Sequence, residues 1–472
     1  MTLTAGRRSD ILSILEHALR AVEPQQAVLQ HLALAGDRLT VGSRSYDLAD
    51  VGRILVVGAG KAGAPMAAAV QQALGPRVAA GQVNVKHGHL AAAGNWRLRF
   101  GRAGDGAGLQ PPVAATGPVV LSEAGHPTPD AAGMAGAERI AALLTGLTER
   151  DLVIVLLSGG GSALLPLPAA GVSLADYRRL TDLLLSSGAD ITEINTVRKH
   201  CSRLQGGRLA ELAAPARVVS LILSDVVGSP LDAIASGPTA PDPTTFADAW
   251  AVLARYGLLE RAPGPVIAHL RRGLSAALPD TPKPGDPLFA RVHNVIVGDN
   301  LSAGRAAAAR ARDLGYHSLL LSSFVQGEAR EVGRALAGLA QGIAAGQSDL
   351  ALPACLVLGG ETTVTLRGAG RGGRNQELAL AAGVALGGHT LPPGAAAAVV
   401  SFGTDGTDGP TDAAGGAGAD DTLARAARLG LDPRAALAAN DSYPCLAALG
   451  DLLVSGPTGT NVNDLMLVMC WG

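Results

Sequence analysis

The tightest constraint on this chain is a pattern that occurs four times: a short apolar run that breaks into glycine. Residues 54–57 run into GAGKAG (58–63), 152–157 into SGGGS (158–162), 355–358 into GGE (359–361), and 399–402 into GTDGTD (403–408). A brief apolar run bounded by glycine reads as a buried strand. The glycines leave backbone N–H groups bare at the strand's end, and a following helix adds its positive pole. Such turns suit phosphates and carboxylates. Four of them imply a site with several anionic groups to hold.

The stretches between these turns alternate in kind. Helical patterns are expected at 8–22, 62–74, 130–145, 174–187 and 191–213, the last broken at Gly206 and Gly207, with further strands at 82–85, 119–121 and 218–223. Residues 278–287 carry four prolines in ten, which excludes regular structure and marks a boundary. Beyond it, strands at 294–297, 318–321, 355–358, 399–402 and 464–468 alternate with helices at 303–314, 329–345, 376–386 and 420–429. Strand–helix alternation predicts mainly parallel sheets flanked by helices. A length of 472 residues exceeds one ordinary core. The expected fold is therefore α/β with two domains, a Rossmann-like one at 1–285 and a second at 292–472, each a mainly parallel sheet flanked by helices.

Bulk chemistry removes several classes of function. A net charge of −2 and an aromatic share of 3% give no basis for nucleic acid as a partner. No apolar run approaches the ~18 residues of a membrane span. The four cysteines form no Cys-x-x-Cys pair, which points to a reduced, cytoplasmic protein without structural zinc. Of 38 basic residues only four are lysine: Lys61, Lys86, Lys199 and Lys283. A GC-rich genome accounts for the arginines. The lysines that survive are enriched for places needing a compact ammonium, with Lys283, in the proline-rich segment, as an incidental one.

Gly58-x-Gly60-x-x-Gly63 follows a strand and opens a helix, as a dinucleotide fingerprint does. An NAD site also needs an acid near the end of the next strand. Between Asp50 and Asp105 there is none, and that strand ends in Lys86 and His87. Lys61 within the turn favours another phosphate role, and a plain tight turn is the structural alternative. Neither a Walker A motif nor protein-kinase machinery occurs. Ser158, Gly159, Gly160, Gly161 and Ser162 can fold into an N–H concavity with two added hydroxyls. The serine-nucleophile elbow is absent, so the choice there lies between an anion cradle and a flexible loop.

Arg198 follows Asn195 by three on a helix that also carries Glu193, Lys199 and His200; a solvated face is the alternative. Asp225 stands at a strand's C-terminal end and reads as a general base or metal ligand. Arg371 and Arg374 lie in a glycine-rich loop whose backbone freedom lets guanidiniums fold onto a bidentate anion, with Glu361 and Asn375 nearby in sequence. Asp405, Asp408 and Asp412 crowd a turn-rich loop. Magnesium suits such carboxylates, with turn chemistry as the alternative. His87, His89 and His126 read as local hydrogen bonders.

With those segments assembled, the chain closely resembles the MOFRL-type (class II) glycerate 2-kinases. The carrying motifs are VVGAGKAG (56–63), LSGGGSALL (157–165), INTVRKHCSRLQGGRLA (194–210), LILSDVVGSPLDAIASGPT (221–239), GGETTVTLRGAGRGGRNQELAL (359–380), GTDGTDGPTDAAG (403–415), NDS (440–442) and TGTNVNDL (458–465). The resemblance implies two α/β domains with the active site in the interdomain cleft. It also implies phosphorylation of D-glycerate at the C2 hydroxyl by ATP with Mg²⁺ or another divalent cation. Lys61, Arg374 and Asp225 would be catalytic. Gly58, Gly60, Ser158, Gly159, Gly160, Gly161, Ser162, Arg198, Glu361, Arg371 and Asn375 would bind substrate or ATP, and Asp405 and Asp408 would be the metal candidates. Which loop holds glycerate and which holds ATP stays open. D-glycerate and ATP are the expected partners, with no nucleic acid or membrane and with room for a homodimer. The rival is an NAD(P)H-dependent hydroxypyruvate reductase, a name that members of the family have also carried.

Overall fold

A computed structural model describes residues 2–90, 96–101 and 117–472. Its strands, in chain order, are β1 (Leu32–Ala35), β2 (Arg38–Val41), β3 (Arg44–Asp47), β4 (Ile54–Ala59), β5 (Val78–Lys86), β6 (Arg99–Gly101), β7 (Val119–Ala124) and β8 (Leu152–Leu157). They continue as β9 (Arg217–Leu223), β10 (Val292–Gly298), β11 (His317–Glu328), β12 (Ala354–Thr363), β13 (Ala396–Gly403), β14 (Gly415–Ala419), β15 (Leu452–Val454) and β16 (Asp464–Trp471). These residues fall into two compact units. One takes in 24–90 and 117–297; the other takes in 2–23, 96–101 and 298–472.

The first unit is built on a six-stranded sheet ordered β10-β9-β8-β4-β5-β7. The neighbours β9/β8, β8/β4, β4/β5 and β5/β7 all pair in parallel. Every residue of β4 and β8 is buried, as expected of central strands covered on both faces. Leu55, Val57, Val153, Val155 and Leu157 meet Ile140 and Leu144 in one core. The helix Gly63–Leu74 seats directly on the sheet: a Cβ at Gly63 would stand 2.8 Å from Val83 Cγ1. Because these five strands point one way, the turns after them gather at one edge of the sheet, where open α/β folds bind ligands.

A second cluster in this unit joins Tyr177, Leu180 and Leu184 to Phe246, Leu253 and Val266. Its helices start where capping boxes fix them, at Ser173 with Asp176, Asp190 with Glu193, and Thr245 with Asp248. A small antiparallel meander, β1-β2-β3, was not anticipated. The proline-rich segment is irregular as expected, but it is pinned within this unit. Asp280 Oδ1 lies 2.9 Å from His200 Nε2, and Thr281 Oγ1 donates to Asp242 Oδ2 at 3.0 Å. Lys283 Nζ donates to Thr281 Oγ1 at 2.7 Å. The division between units falls instead at Val297/Gly298.

The N-terminal helix, Ala5–Ala21, corrects the expected division in a second way, because it belongs with the C-terminal half. Arg310 Nε donates to Ser13 Oγ at 2.9 Å, Tyr316 Oη to Asp10 Oδ2 at 2.8 Å, and Thr460 Oγ1 to the Val22 carbonyl at 2.7 Å. A helix's apolar stripe shows that it packs, not against which sheet.

The sheet of this second unit is ordered β11-β12-β16-β13-β14-β15-β6 and corrects the expectation of a mainly parallel one. Only β11 and β12 pair in parallel; the other neighbours are antiparallel. The cause is topological. The helix Arg374–Gly387 crosses between β12 and β13, which leaves those strands pointing the same way. The last strand, β16, then inserts between them in the opposite direction. Strand β13 passes to β14 through a helix-free loop, which favours antiparallel return. Leu356, Leu358, Leu378, Val399, Met466 and Val468 form the core on one face.

Candidate active site

The first unit's site is assembled where β4, β8, β7 and β9 end. The turn after β4 lies against the turn after β8. The N–H of Lys61 donates to the Gly159 carbonyl at 2.9 Å, and the N–H of Ala62 donates to Ser158 Oγ at 3.0 Å. Gly60 sits at φ +149°, and a Cβ there would stand 2.0 Å from Ser158 Oγ. Only glycine permits that approach. The Ser158 hydroxyl was expected to cradle an anion; it holds the lysine turn in place, buried at 2% exposure.

The rest of the second turn is differently equipped. The N–H groups of Gly159 and Gly160 have no acceptor among the described residues. Gly160 adopts φ +84°, opening the concavity from which the short helix Gly161–Leu164 begins. Ser162 Oγ and Ser236 Oγ are 2.8 Å apart, and Ser236 Oγ donates to Asn195 Oδ1 at 3.1 Å. Ser236 and Ala235 hold φ values of +61° and +51°, strain consistent with a turn constrained for function.

Two cationic side chains bear on this concavity. Lys61 has no carboxylate within 4 Å and no side-chain hydrogen bond among the described residues. Arg198 is only 8% exposed, yet it also lacks a carboxylate partner among them. Its Nη2 donates to the Ser162 carbonyl at 3.0 Å, a bond that Gln205 Nε2 shares at 2.9 Å. A buried guanidinium facing only neutral groups is costly unless an anion completes it. The field is legible in His126. Burial, reinforced by the charges of Lys61, Lys86 and Arg198, pushes its imidazole down to about 4. Asp225 follows β9, half-buried, at the same sheet edge. Lys199 is spoken for: its Nζ lies 3.4 Å from Asp242 and 3.7 Å from Asp232.

The second unit carries an open cleft of about 770 Å³ lined by the 368–373 glycine loop, Arg374, Glu377, Asp405, Thr407, Asp408 and Asn440. Arg374 is bound bidentately by Asp464, Nε to Oδ2 at 2.7 Å and Nη2 to Oδ1 at 3.0 Å; Nη1 reaches Glu361 Oε1 at 2.8 Å. Burial opposes its charge, but the carboxylates of Asp464 and Glu361 hold its pKa above the usual value. Arg371 stacks on Tyr443, with its guanidinium carbon 4.5 Å from the ring centroid. Asn440, at φ +55°, ties the loop down. Its Oδ1 accepts from the N–H groups of Arg367 and Gly368 at 2.7 and 3.1 Å, while its Nδ2 donates to Glu377 Oε2 at 2.9 Å.

The two metal candidates differ. Asp408 caps the helix Arg374–Gly387: Oδ1 accepts from the Asn375 N–H at 3.1 Å and Oδ2 from the Gln376 N–H at 2.9 Å. Burial pushes its carboxyl up to about 7, opposed by those amides and supported by the charge of Asp464. The capping bonds turn both carboxylate oxygens toward the helix. Asp405 uses Oδ1 for the Thr407 N–H and hydroxyl and leaves Oδ2 without a hydrogen bond among the described residues. No cluster of three or more His, Cys, Asp and Glu suited to a metal occurs among those residues. Asn375 bonds inward, through Nδ2 to Asp464 Oδ1 at 3.0 Å and Oδ1 to Ser401 Oγ at 2.6 Å.

Two residues important to these sites escaped the sequence reading. Asp464 opens the strand β16 and lies within the TGTNVNDL segment, but nothing in that segment marks it as the partner of Arg374. The sequence marks His126 as a local hydrogen bonder, but neither ring nitrogen has a hydrogen-bond partner among the described residues.

The fold and these sites define a two-unit α/β protein with a concavity of bare amides at its strand ends and a glycine-loop cleft. Residues 10–271 match a domain of unknown function, DUF4147, and residues 354–464 match the MOFRL family. The chain belongs to this DUF4147/MOFRL family. It is 39% identical over 459 residues to a protein named glycerate 2-kinase from Pyrococcus horikoshii, covering 97% of this chain and 96% of that one. It is 43% identical over 420 residues to an Agrobacterium vitis protein named putative hydroxypyruvate reductase, covering 89% and 87%. A crystal structure of glycerate kinase from Thermotoga maritima superposes with a TM-score of 0.81 at 38% identity, covering 99% of this chain and all of that one. Among the described residues no helix is long and apolar enough to cross a membrane.

Proposed function

We propose that this protein is a glycerate 2-kinase, transferring the γ-phosphoryl group of ATP to the C2 hydroxyl of D-glycerate. The observation that carries this reading is the cluster of unspent donors after β8 and β4. Lys61, Arg198 and the N–H groups of Gly159 and Gly160 lie around one concavity, and among the described residues neither cation has a carboxylate within 4 Å. Phosphoryl transfer asks for positioning and charge neutralisation more than for covalent chemistry. Donors of this kind supply both.

In this proposal Lys61 neutralises charge on the phosphoryl group in flight. Arg198 and the amides at 158–162, with Gly58 and Gly60 shaping the facing turn, hold an anionic group of glycerate or ATP. Asp225 serves as base or metal partner. In the other unit, Arg374 is presented to the same phosphoryl group, with Glu361 and Asn375 orienting it and Arg371 beside it on the glycine loop. Transfer requires the two units to bring these groups to one phosphorus, and that meeting in a cleft is part of the proposal. Asp405 Oδ2 would hold Mg²⁺ together with phosphate oxygens. Bound there, the cation would supply neutralisation of phosphate charge. The reading carries with it a cytoplasmic site of action.

The hydroxypyruvate reductase alternative is favoured by one relative's name and by the glycine turn, and opposed by the strand after that turn, which ends at Lys86 where an NAD site wants an acid. Purified protein given ATP, Mg²⁺ and D-glycerate is expected to release ADP only when glycerate is present. Given hydroxypyruvate, it is expected to leave NADH and NADPH unoxidised. The opposite pair of results would overturn the assignment.

A further inference from the structure

The donors of the first unit's site pose a problem that they cannot solve. A hydroxyl that is to attack phosphorus must lose its proton, and its O–H must point at an acceptor. Lys61, Arg198 and the amides of Gly159 and Gly160 are donors only. Ser158 Oγ accepts from the N–H of Ala62 and Ser162 Oγ pairs with Ser236, and an alcohol oxygen is too weak a base to take the proton. Two side chains at this sheet edge can accept a proton, Asp225 and His126; with Asp225 serving as metal partner, the proton falls to His126. It comes from the turn after β7 and packs its ring onto Gly160, where a Cβ would stand 2.9 Å from His126 Cδ2 and 3.0 Å from Nε2. The same Cβ would be 3.6 Å from Lys61 Cγ. Imidazole and lysine therefore flank Gly160, one of the two residues whose N–H has no acceptor among the described residues.

We propose that His126 accepts the hydrogen bond of the substrate's hydroxyl and takes its proton during transfer. This rests on the kinase reading given above. The step is balanced as follows. The O–H bond of glycerate's C2 hydroxyl breaks and its proton passes to an imidazole nitrogen. That oxygen bonds to the γ-phosphorus, and the bond from phosphorus to the bridging oxygen of ADP breaks. The imidazolium then gives the proton to water as products leave.

Two further features agree with this role. The ring nitrogens make no hydrogen bond among the described residues, so a ligand need not displace an internal partner. Burial, reinforced by the cations around it, keeps the His126 imidazole neutral, which is the accepting form. Bound phosphate and carboxylate would offset those cations and make the ring more basic as the substrates arrive. In a loose transition state the proton moves late, so a modest base suffices.

The test uses the full chain, with His126→Ala and His126→Asn measured beside the wild type. The expected result is a fall in kcat of about thirtyfold or more in both variants. Dissociation constants for ATP and D-glycerate, from calorimetry, stay within about threefold of wild type. Added imidazole restores part of the rate to His126→Ala, an effect that a merely structural histidine would not show. A smaller fall in kcat, a larger loss of binding, or no rescue by imidazole overturns the proposal. Should either variant fold poorly, the other, judged by its melting profile, decides. If the wild type releases no ADP with D-glycerate, the kinase reading fails first. If the wild type turns over and the variants keep pace, only the role of His126 fails.

Discussion

Removing the Lys61 ammonium should cost the reaction dearly and the fold almost nothing. The side chain makes no ion pair or hydrogen bond among the described residues, so Lys61→Ala breaks no internal contact of that kind. Its backbone bond to the Gly159 carbonyl survives the change. The expected shift in melting temperature is under about 2 °C, since surface-type substitutions stay within about 0.5 kcal/mol. The catalytic loss follows from Coulomb's law. A unit charge about 4 Å from developing phosphoryl charge, at an effective dielectric near 20, contributes about 4 kcal/mol. Deleting a preorganised transition-state donor in other enzymes costs about 2.7–4 kcal/mol, so both routes give a fall of about 10²–10³ in kcat. Lys61→Arg should recover little, because a planar fork does not replace a compact ammonium. The assay is ADP release under saturating ATP and D-glycerate, with the melting curve as control. A Lys61→Ala enzyme within about tenfold of wild type would refute the reasoning.

Three further outcomes follow from the geometry. Gly60→Ala drives a Cβ to 2.0 Å from Ser158 Oγ and pries the two turns apart; a displacement near 1 Å should lower kcat by about 10²-fold, read in the same assay. Asn440→Ala removes the acceptor for two loop amides and the donor to Glu377. It should cost about 2 kcal/mol in urea melts, speed amide exchange in the 366–373 loop, and weaken ATP binding. Asp151, hydrogen-bonded by Arg53 and by the N–H and hydroxyl of Thr148, has its carboxyl held down at about 2. Its folded-state value lies below the unfolded one, so its stabilisation is present above pH 4 and fades as pH falls through about 2. Asp151→Asn should lose about 1 kcal/mol at pH 7, a figure reduced for the half-exposed Arg53, and the gap should close in acid.

The first unit was largely legible in its sequence. Its central strands are apolar throughout because both faces are covered, and each ends in glycines that the turns require. The capping boxes at Ser173, Asp190 and Thr245 start helices by local hydrogen bonds alone. The second unit was legible as elements and not as a sheet. Strand β14, Gly-Gly-Ala-Gly-Ala, has no side-chain pattern to announce it. Nothing local tells β16 to insert between β12 and β13, because strand order is a long-range property. The same limit separates the two sites. Lys61 and the bare amides declare themselves in a glycine turn. The Asp464 that holds Arg374 sits 90 residues further along the chain, and the role of His126 appears only when its ring is seen lying on Gly160.

The central claim, phosphoryl transfer to the C2 oxygen of glycerate, is tested most directly by ³¹P NMR of the products formed from ATP and D-glycerate. The account predicts one 2-phosphoglycerate for each ADP, with no 3-phosphoglycerate and negligible free phosphate. Accumulation of 3-phosphoglycerate, or of ADP with inorganic phosphate and no phosphorylated acid, would contradict it.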